Sequence, residues 1–417
     1  MAQLSDDCFA FGGELMRSRE ALQMLNDRLN VVVGVKNMPL RKALGQILAE
    51  DVISEIEVPP HDNAAVDGYA VRFADLSQKA DTELLIAGRL AAGDNPVEAL
   101  RTGQAIRIFT GASMPLEADT VLMQEDCRVK DDVLIIPRGV AKGANRRLAG
   151  ENIKAGMQIL HSGLRLRPQD IGMAASVGKN SLPVYDRVRV ALFSTGDEVR
   201  DIGQKLPNGC IYDANRYMIA SALERLGCIV DDLGILPDSH DVIKAALAKT
   251  VETQDLIMTS GGVSTGEEDH VRSAVEALGE LHFWRLAIRP GRPLALGQIG
   301  SVPFIGLPGN PVAVLVTFML FARPAILRLG GCRKTKPEYY QVRAGFELRK
   351  KSGRREWLRV HLEQDNEGFP VARKFPRDGA GILMSMVESD GLVELPEDLT
   401  LLEADTMVNY LPFNEIG

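Results

Sequence analysis

The sequence is poor in the features that mark several common protein classes. Its five cysteines, Cys8, Cys127, Cys210, Cys228 and Cys332, are odd in number and scattered, with no CxxC or zinc spacing. That argues against a disulfide framework and predicts a reducing, cytoplasmic setting. The longest apolar run, Val312 to Ala322, is closed by Arg323-Pro324 and falls short of the ~18 residues a membrane span needs, so no membrane contact is expected. The opening stretch MAQLSDDCFA holds two aspartates and no basic segment, so no secretory leader is expected. A Walker P-loop, a strand-borne GxGxxG and HExxH are absent, and the six histidines are dispersed. Lys and Arg number 48 against 56 Asp and Glu, a net charge of −8, which excludes a surface-wide nucleic-acid binder.

What is present is ordinary globular composition: 45% hydrophobic and 25% charged residues in 417, enough for about three domains. Leu15, Leu22, Leu25 and Leu29 form one helical stripe within 14–30, and Leu40, Leu44, Ile47 and Leu48 predict a second helix over 40–50. Short β segments separated by Gly, Pro and Asp fill 84–137, and helical character returns near 168–178. From 188 onward strands alternate with helices: VRVALFS, a helix over 215–226 stopped by Gly227, CIVDDLGIL, a helix through about 250, DLIMTS, and a helix from about 269 to Gly279. This rhythm means βαβ crossovers and a mostly parallel sheet, with ligands beyond the carboxyl ends of its strands. The expected architecture is a multidomain α/β protein. It has an elongated helical N-terminal domain split between 1–52 and 155–187, an inserted mostly β domain over 53–154, a central α/β domain over 188–331 and a small C-terminal β domain over 332–417.

Several constellations could carry chemistry. Ser260, Gly261 and Gly262 open a glycine-rich loop through Ser264 to Asp269. The loop reads either as a tight βα turn or as a cradle of backbone amides for an anionic oxygen. Asp269 is either a helix N-cap or, with Glu198 of Ser194-Thr195-Gly196-Asp197-Glu198, a holder of Mg²⁺. Glu198, Asp238 and Asp269 fall at the same predicted sheet edge, and carboxylates gathered there repel unless a cation sits among them. Arg285, Arg289 and Arg292 either form a solvated basic strand or receive a tetrahedral oxyanion, with 285 and 289 on one strand face. Pro308 and Pro311 make a rigid turn, Asp67 lies in a loop of turn formers, and Thr110 ends a strand. Gly262-Val-Ser264-Thr-Gly266 also fits a nucleophile elbow, the mark of a serine hydrolase. The acids at 267–269 would oppose its oxyanion hole.

In order along the chain, LGQILAEDV, PPHDNAAVDGYAV, RIFTGASMP, ALFSTGDEV, IYDANRYM, SGGVSTGEEDHV, RPGRPLALG and GLPGNPVAV resemble the MoeA family of molybdopterin molybdenumtransferases, which includes the E domain of gephyrin. The resemblance implies an elongated homodimer that inserts molybdate into adenylylated molybdopterin and releases AMP. It further implies that Asp67, Thr110, Glu198, Asp238 and Asp269 act at the active site, Asp67 and Thr110 from the partner subunit. Glu198 and Asp269 would bind Mg²⁺. Ser260, Gly261, Gly262, Ser264, Pro308 and Pro311 would line the pterin-nucleotide crevice. Arg285, Arg289, Arg292 and Arg359 would serve the oxyanion. Product would be handed to proteins that mature molybdoenzymes.

The chain departs from the family pattern in three places. Arginines stand at 285, 289 and 292 where lysines are usual, Asn152 replaces a carboxylate, and Ala380 replaces a serine between Gly379 and Gly381. Asn152 and Ala380 motivate a second reading, a catalytically weakened pterin-binding or scaffold homologue. The run Arg349, Lys350, Lys351, Arg354, Arg355 and Arg359 offers a third, local nucleic-acid binding, against which the acidic total weighs.

Overall fold

The computed structural model describes residues 15–95, 99–262 and 270–416. At its centre is a six-stranded mixed sheet, in spatial order Ile229–Leu236, Arg189–Thr195, Leu256–Ser260, Val302–Leu307, Pro293–Ile299 and Gly279–Arg285. The first four strands run parallel, Pro293–Ile299 runs against its two neighbours, and Gly279–Arg285 again follows the majority. Five strands therefore end at one edge, carrying Leu236, Thr195, Ser260, Leu307 and Arg285, and the sixth begins there at Pro293.

Both faces of the sheet are covered, which is why its inner strands read as unbroken apolar runs. Helices His240–Thr250 and His270–Leu278 lay Ile243, Leu247, Val271 and Val275 against Phe193, Ile257 and Phe304. On the other face Ala214–Leu226 and the long helical segment from Pro311 to Leu329 bury Ile219, Leu223, Val316, Phe318 and Phe321. Asp213 caps the Ala214–Leu226 helix, accepting from Arg216 N at 3.1 Å, and Gly227 closes it with φ 96°. The 311–329 segment is long and apolar enough to cross a bilayer, yet it is almost wholly enclosed by protein. It is one continuous helical run because a π-helical turn, Phe318–Ala322, lies just ahead of Pro324, whose ring nitrogen has no hydrogen to donate.

The N-terminal part is less helical than the leucine spacing suggests. Ser18–Arg28 is a helix whose Ala21 and Leu25 enter the central core, and Pro168–Ser176 is another. The helix expected over 40–50 does not form. Leu40–Lys42 is a single 3₁₀ turn, after which Ile47 bridges to Arg165 and Leu48 to Val184, while Leu44 is exposed. Leu40 and Leu48 pack in the N-terminal core and Ile47 against the central one, so the four residues share no helix face. From here the chain leaves along Val52–Ile53 and returns antiparallel along Gln158–Leu160. Between them lies a six-stranded β unit in the order Thr120–Met123, Gly68–Val71, Gln104–Ile108, Thr82–Leu90, Val133–Ile136, Arg128–Lys130.

Two arginines fasten the N-terminal part to the central one. Arg187 donates to the carbonyls of Gly227 (2.5 Å) and Cys228 (2.6 Å), and Arg165 to that of Arg225 (3.1 Å). These cations meet the carbonyl end of the Ala214–Leu226 helix, where its dipole favours positive charge.

At the C-terminus, Tyr340–Ala344, Arg355–Gln364, Pro370–Lys374, Gly391–Leu395 and Met407–Pro412 close into a barrel, since Arg355–Gln364 pairs with both Pro370–Lys374 and Gly391–Leu395. The short strand Ile288–Arg289 leaves the central sheet to pair in parallel with Arg355-Glu356 of that barrel.

The enclosed 311–329 segment sets a stability test. Phe321 is 1% exposed. Phe321→Ala is expected to lower the unfolding free energy by about 3–5 kcal/mol, seen as a lower urea midpoint followed by circular dichroism.

Candidate active site

Two carboxylates flank the end of the Arg189–Thr195 strand. The chain turns at Gly196 with φ 137°, and Glu198 folds back over it so closely that a methyl group at 196 would lie 2.7 Å from Glu198 Oε2. Asp238, just past the neighbouring strand, accepts from Thr195 Oγ1 at 3.4 Å. One strand further, Ser260 Oγ donates to the Pro308 carbonyl at 3.4 Å. The Gly261 amide donates to the Leu307 carbonyl at 3.2 Å, so this amide, expected to be bare, is already engaged. Gly262 has φ 62°, and a methyl group there would meet Thr195 Cγ2 at 2.7 Å, so both conformation and close approach require glycine. Ser264 and Asp269 lie outside the described residues.

The loop that carries Glu198 is fastened by a side chain the sequence reading passed over. Arg216 is 3% exposed. It donates to Asp213 Oδ2 (3.0 Å), to Asp201 Oδ1 (2.7 Å) and to Asp232, and the Tyr217 hydroxyl also reaches Asp201 (2.7 Å). One guanidinium thus ties the loop, the helix start and the Ile229–Leu236 strand together, and its pKa is pushed up by those carboxylates against the opposing effect of burial. Val199–Arg200 pairs in parallel with Ile211–Tyr212, which closes the loop at its neck.

Asp67 and Thr110 meet on the inserted β unit. The Thr110 amide and hydroxyl donate to Asp67 Oδ1 at 2.8 and 2.7 Å. These two bonds, with the charge of Arg107, hold the Asp67 carboxyl below the ordinary carboxylate range. Arg107 lies over the rings of Tyr69 (4.9 Å) and Phe109 (5.2 Å) and bonds Gln124. Asp67-Gly68 does not close a hairpin but leads into the Gly68–Val71 strand. Among the described residues, no hydrogen bond or ion pair joins the side chains of Asp67 or Thr110 to the central sheet edge.

A cleft of about 210 Å³ opens between the central unit and the barrel, lined among others by Arg289, Arg349, Glu356, Trp357, Arg359, Lys374, Asp378 and Ala380. Arg359 is 7% exposed, and the partners of its guanidinium are neutral: the Ser385 hydroxyl (3.1 Å) and the carbonyls of Arg377 (3.1 Å) and Gly379 (3.4 Å). Burial, aided by Arg289 and opposed by Asp378, lowers its pKa, yet an arginine stays charged at neutral pH. The turn Gly306–Pro311 stands between the two places. Its Leu307 and Pro308 carbonyls bond the sheet edge, Asn215 Nδ2 holds the Gly309 carbonyl at 2.7 Å, and Val312 N donates to Ala380 O at 3.0 Å.

The arginines therefore divide. Arg285 and Arg289 do not share a strand face: Arg285 ends the Gly279–Arg285 strand, whereas Arg289 has been drawn into the barrel by its pairing with Glu356. Arg292 is exposed at the sheet edge and does not line the cleft. The basic run 349–359 is no continuous patch either. Lys350 Nζ is held by the carbonyls of Pro396, Glu397 and Leu399, and Arg355 pairs with Glu394 and Glu397.

Comparison with known proteins agrees along the whole length. The MoeA N-terminal region (domain I and II) matches residues 16–178, a probable molybdopterin binding domain matches 191–328, and the MoeA C-terminal region (domain IV) matches 341–413. The chain is 36% identical over 399 residues to the molybdopterin molybdenumtransferase of Haemophilus influenzae, covering 95% of this chain and 98% of that one. The chain belongs to the MoeA family. It is also 36% identical over 383 residues to the molybdopterin molybdenumtransferase of a Nostoc species, with 89% of this chain and 87% of the relative covered. The crystal structure of the molybdopterin biosynthesis moeA protein from Pyrococcus horikoshii OT3 superposes with a TM-score of 0.83 at 30% identity, covering 96% of this chain and 100% of that one. MoeA membership does not favour the serine-hydrolase reading.

Arg216, Glu356 and Lys374 were passed over in the sequence of this MoeA chain, and Arg349 was read there only as part of a nucleic-acid-binding run. Only Arg216 had a local signal, its i,i+3 spacing from the helix cap Asp213.

Replacing Arg216 by Met strands three carboxylates, so unfolding is expected to become easier by about 3–5 kcal/mol, measured in urea. A second expectation concerns Asp67. Its lowered pKa keeps the Thr110 pairing intact at neutral pH and breaks it only as pH falls below the ordinary carboxylate range. Thr110→Val removes the hydroxyl donor but not the amide, so the Asp67 pKa should rise part-way to its ordinary value, read from carboxyl ¹³C shifts.

Proposed function

We propose that this chain is a molybdopterin molybdenumtransferase of molybdenum cofactor biosynthesis. It takes adenylylated molybdopterin and molybdate, places the metal at the dithiolene and releases AMP. The observation that carries the reading is Arg359, a buried guanidinium with only neutral partners in a cleft beside a carboxylate-lined sheet edge. A buried cation ordinarily has an anionic partner, and a tetrahedral oxyanion supplies one. Arg289 stands in the same cleft, 3.6 Å from Glu356 Oε2. Ala380 removes one hydroxyl from this lining but none of its charge, which leaves the weakened-homologue reading without a structural advantage.

The pterin-nucleotide belongs, in this reading, at the sheet edge, against Ser260, Gly261, Gly262 and the Pro308–Pro311 turn, with Ser264 and the exposed Arg285 and Arg292 at its margin. Glu198 and Asp238 are hard oxygen donors on either side of Thr195-Gly196, which suits Mg²⁺. Among the described residues no group of three or more His, Cys, Asp or Glu is arranged to hold a metal ion, so Asp269 or the phosphate itself would complete the set beside Glu198. When bound, the ion supplies positive charge to the phosphoanhydride oxygens. The chain's own task is to fix the acids: Arg216 holds the Glu198 loop, and Thr195 orients Asp238.

In this reading Asp67 and Thr110 complete the site from a second copy, and the working unit is a homodimer with a shared active site. The division into 1–52 with 155–187, 53–154, 188–331 and 332–417 fits this arrangement, as does a cytoplasmic setting in which product passes to molybdoenzyme maturation proteins.

The deciding assay is AMP release from adenylylated molybdopterin with Mg²⁺ and molybdate. Glu198→Gln is expected to lower the turnover rate about a hundredfold or more with the fold intact by circular dichroism. An unchanged rate would remove Glu198 from the reaction.

A further inference from the structure

The cleft holds four cations, Arg289, Arg349, Arg359 and Lys374, and two carboxylates, Glu356 and Asp378. Two of the cations are locally compensated. Lys374 Nζ lies 2.9 Å from Asp378 Oδ1, and Arg289 NH1 lies 3.6 Å from Glu356 Oε2. Arg359 and Arg349 are left, and among the described residues neither has a carboxylate within ion-pair distance. The cleft therefore carries two uncompensated positive charges.

Arg349 owes its place to the backbone. The ribbon Leu348–Arg349 pairs antiparallel with Leu401–Leu402, and Leu348 packs on the barrel core. The next residue, Lys350, is anchored inward on three carbonyls, at 2.8 Å to Pro396, 3.4 Å to Glu397 and 3.0 Å to Leu399. With side chains alternating along an extended chain, Arg349 is turned the other way from Lys350 and contributes to the cleft wall.

We propose that Arg349 is a specificity-determining residue of this cleft. With Arg359 it presents two unopposed guanidinium charges, so that the cleft takes a tetrahedral dianion and discriminates against a tetrahedral monoanion of similar shape. The inference rests on the reading of the cleft as the molybdate receiver and adds a residue to it. Coulomb energy is linear in ligand charge, so removing one guanidinium costs a dianion about twice the free energy that it costs a monoanion. The two arginines also differ in depth: Arg359 is buried and Arg349 exposed, so salt screens the contribution of Arg349 more strongly.

The test is equilibrium dialysis of the full-length protein with molybdate and, separately, with perrhenate, at low and high ionic strength. Arg349→Gln is expected to weaken molybdate about tenfold and perrhenate about threefold at low salt. The difference should shrink at high salt, and Arg349→Lys should restore most of it. Arg359→Gln should weaken molybdate about a hundredfold at either ionic strength. If Arg349→Gln changes neither anion, or both equally, while Arg359→Gln abolishes binding, the role of Arg349 is overturned and the cleft reading stands. If molybdate binding survives Arg359→Gln and Arg349→Gln alike, the cleft reading falls, and the inference with it.

Discussion

A guanidinium removed from water must be met by something, and at Arg359 what meets it inside the chain is one hydroxyl and two carbonyls. Neutral acceptors satisfy its hydrogens, and its charge is met only at longer range by Asp378, which pairs directly with Lys374. Among the described residues, two of the other three buried arginines are met by carboxylates, and Arg323 donates to the Thr335 carbonyl. Arg216 has three carboxylates, and Arg355 has two. Arg216 and Arg355 are thus tied into the fold by carboxylates, whereas Arg359 lines a cleft with neutral hydrogen-bond partners.

That one position constrains much around it. Arg359 is fixed because its strand belongs to a closed barrel and pairs on both sides. Arg289 is brought near it because Ile288–Arg289 leaves the central sheet to extend the same barrel. The Gly379–Gly381 segment that accepts from Arg359 also caps the buried helical segment from 311, through Ala380 O and Val312 N at 3.0 Å. The cleft is thus built on the closed barrel, and its charges are held by backbone pairing instead of by mobile side chains alone.

How much of this could be read in the sequence depended on whether the partners were local. The strand–helix alternation from 189 to 260 was legible because central strands covered on both faces must be unbroken apolar runs, and Gly227 marks a helix end. The 40–50 segment misled because its apolar residues have helical spacing over barely three turns, yet Leu44 is exposed and Ile47 packs on a different core from Leu40 and Leu48. Arg285 and Arg289 were assigned to one strand because four-residue spacing fits a strand face; the departure of Ile288–Arg289 toward a barrel 67 positions downstream leaves no mark in the local pattern. The basic run 349–359 looked like a patch, although alternation and ion pairing send Lys350 and Arg355 inward. The family resemblance set Glu198, Asp238 and Arg359 at one active site; in the structure the acids lie at the sheet edge and Arg359 in the cleft.

The separation between those two places has a chemical consequence. If the carboxylates at Glu198 and Asp238 stood beside Arg359 they would neutralise it, and the cleft would lose its attraction for an oxyanion. The chain keeps them apart with Gly306-Leu-Pro-Gly-Asn-Pro311, a segment with no ionisable side chain and two prolines that stiffen it. Its carbonyls are engaged by Gly261 and Ser260 on the sheet side, while the helix it opens is engaged by Ala380 on the cleft side. A displacement of this turn would therefore disturb the sheet edge and the cleft together. The GLPGNP segment, uncharged and stiffened by two prolines, offers neither the acids of the sheet edge nor the cations of the cleft a side chain to pair with.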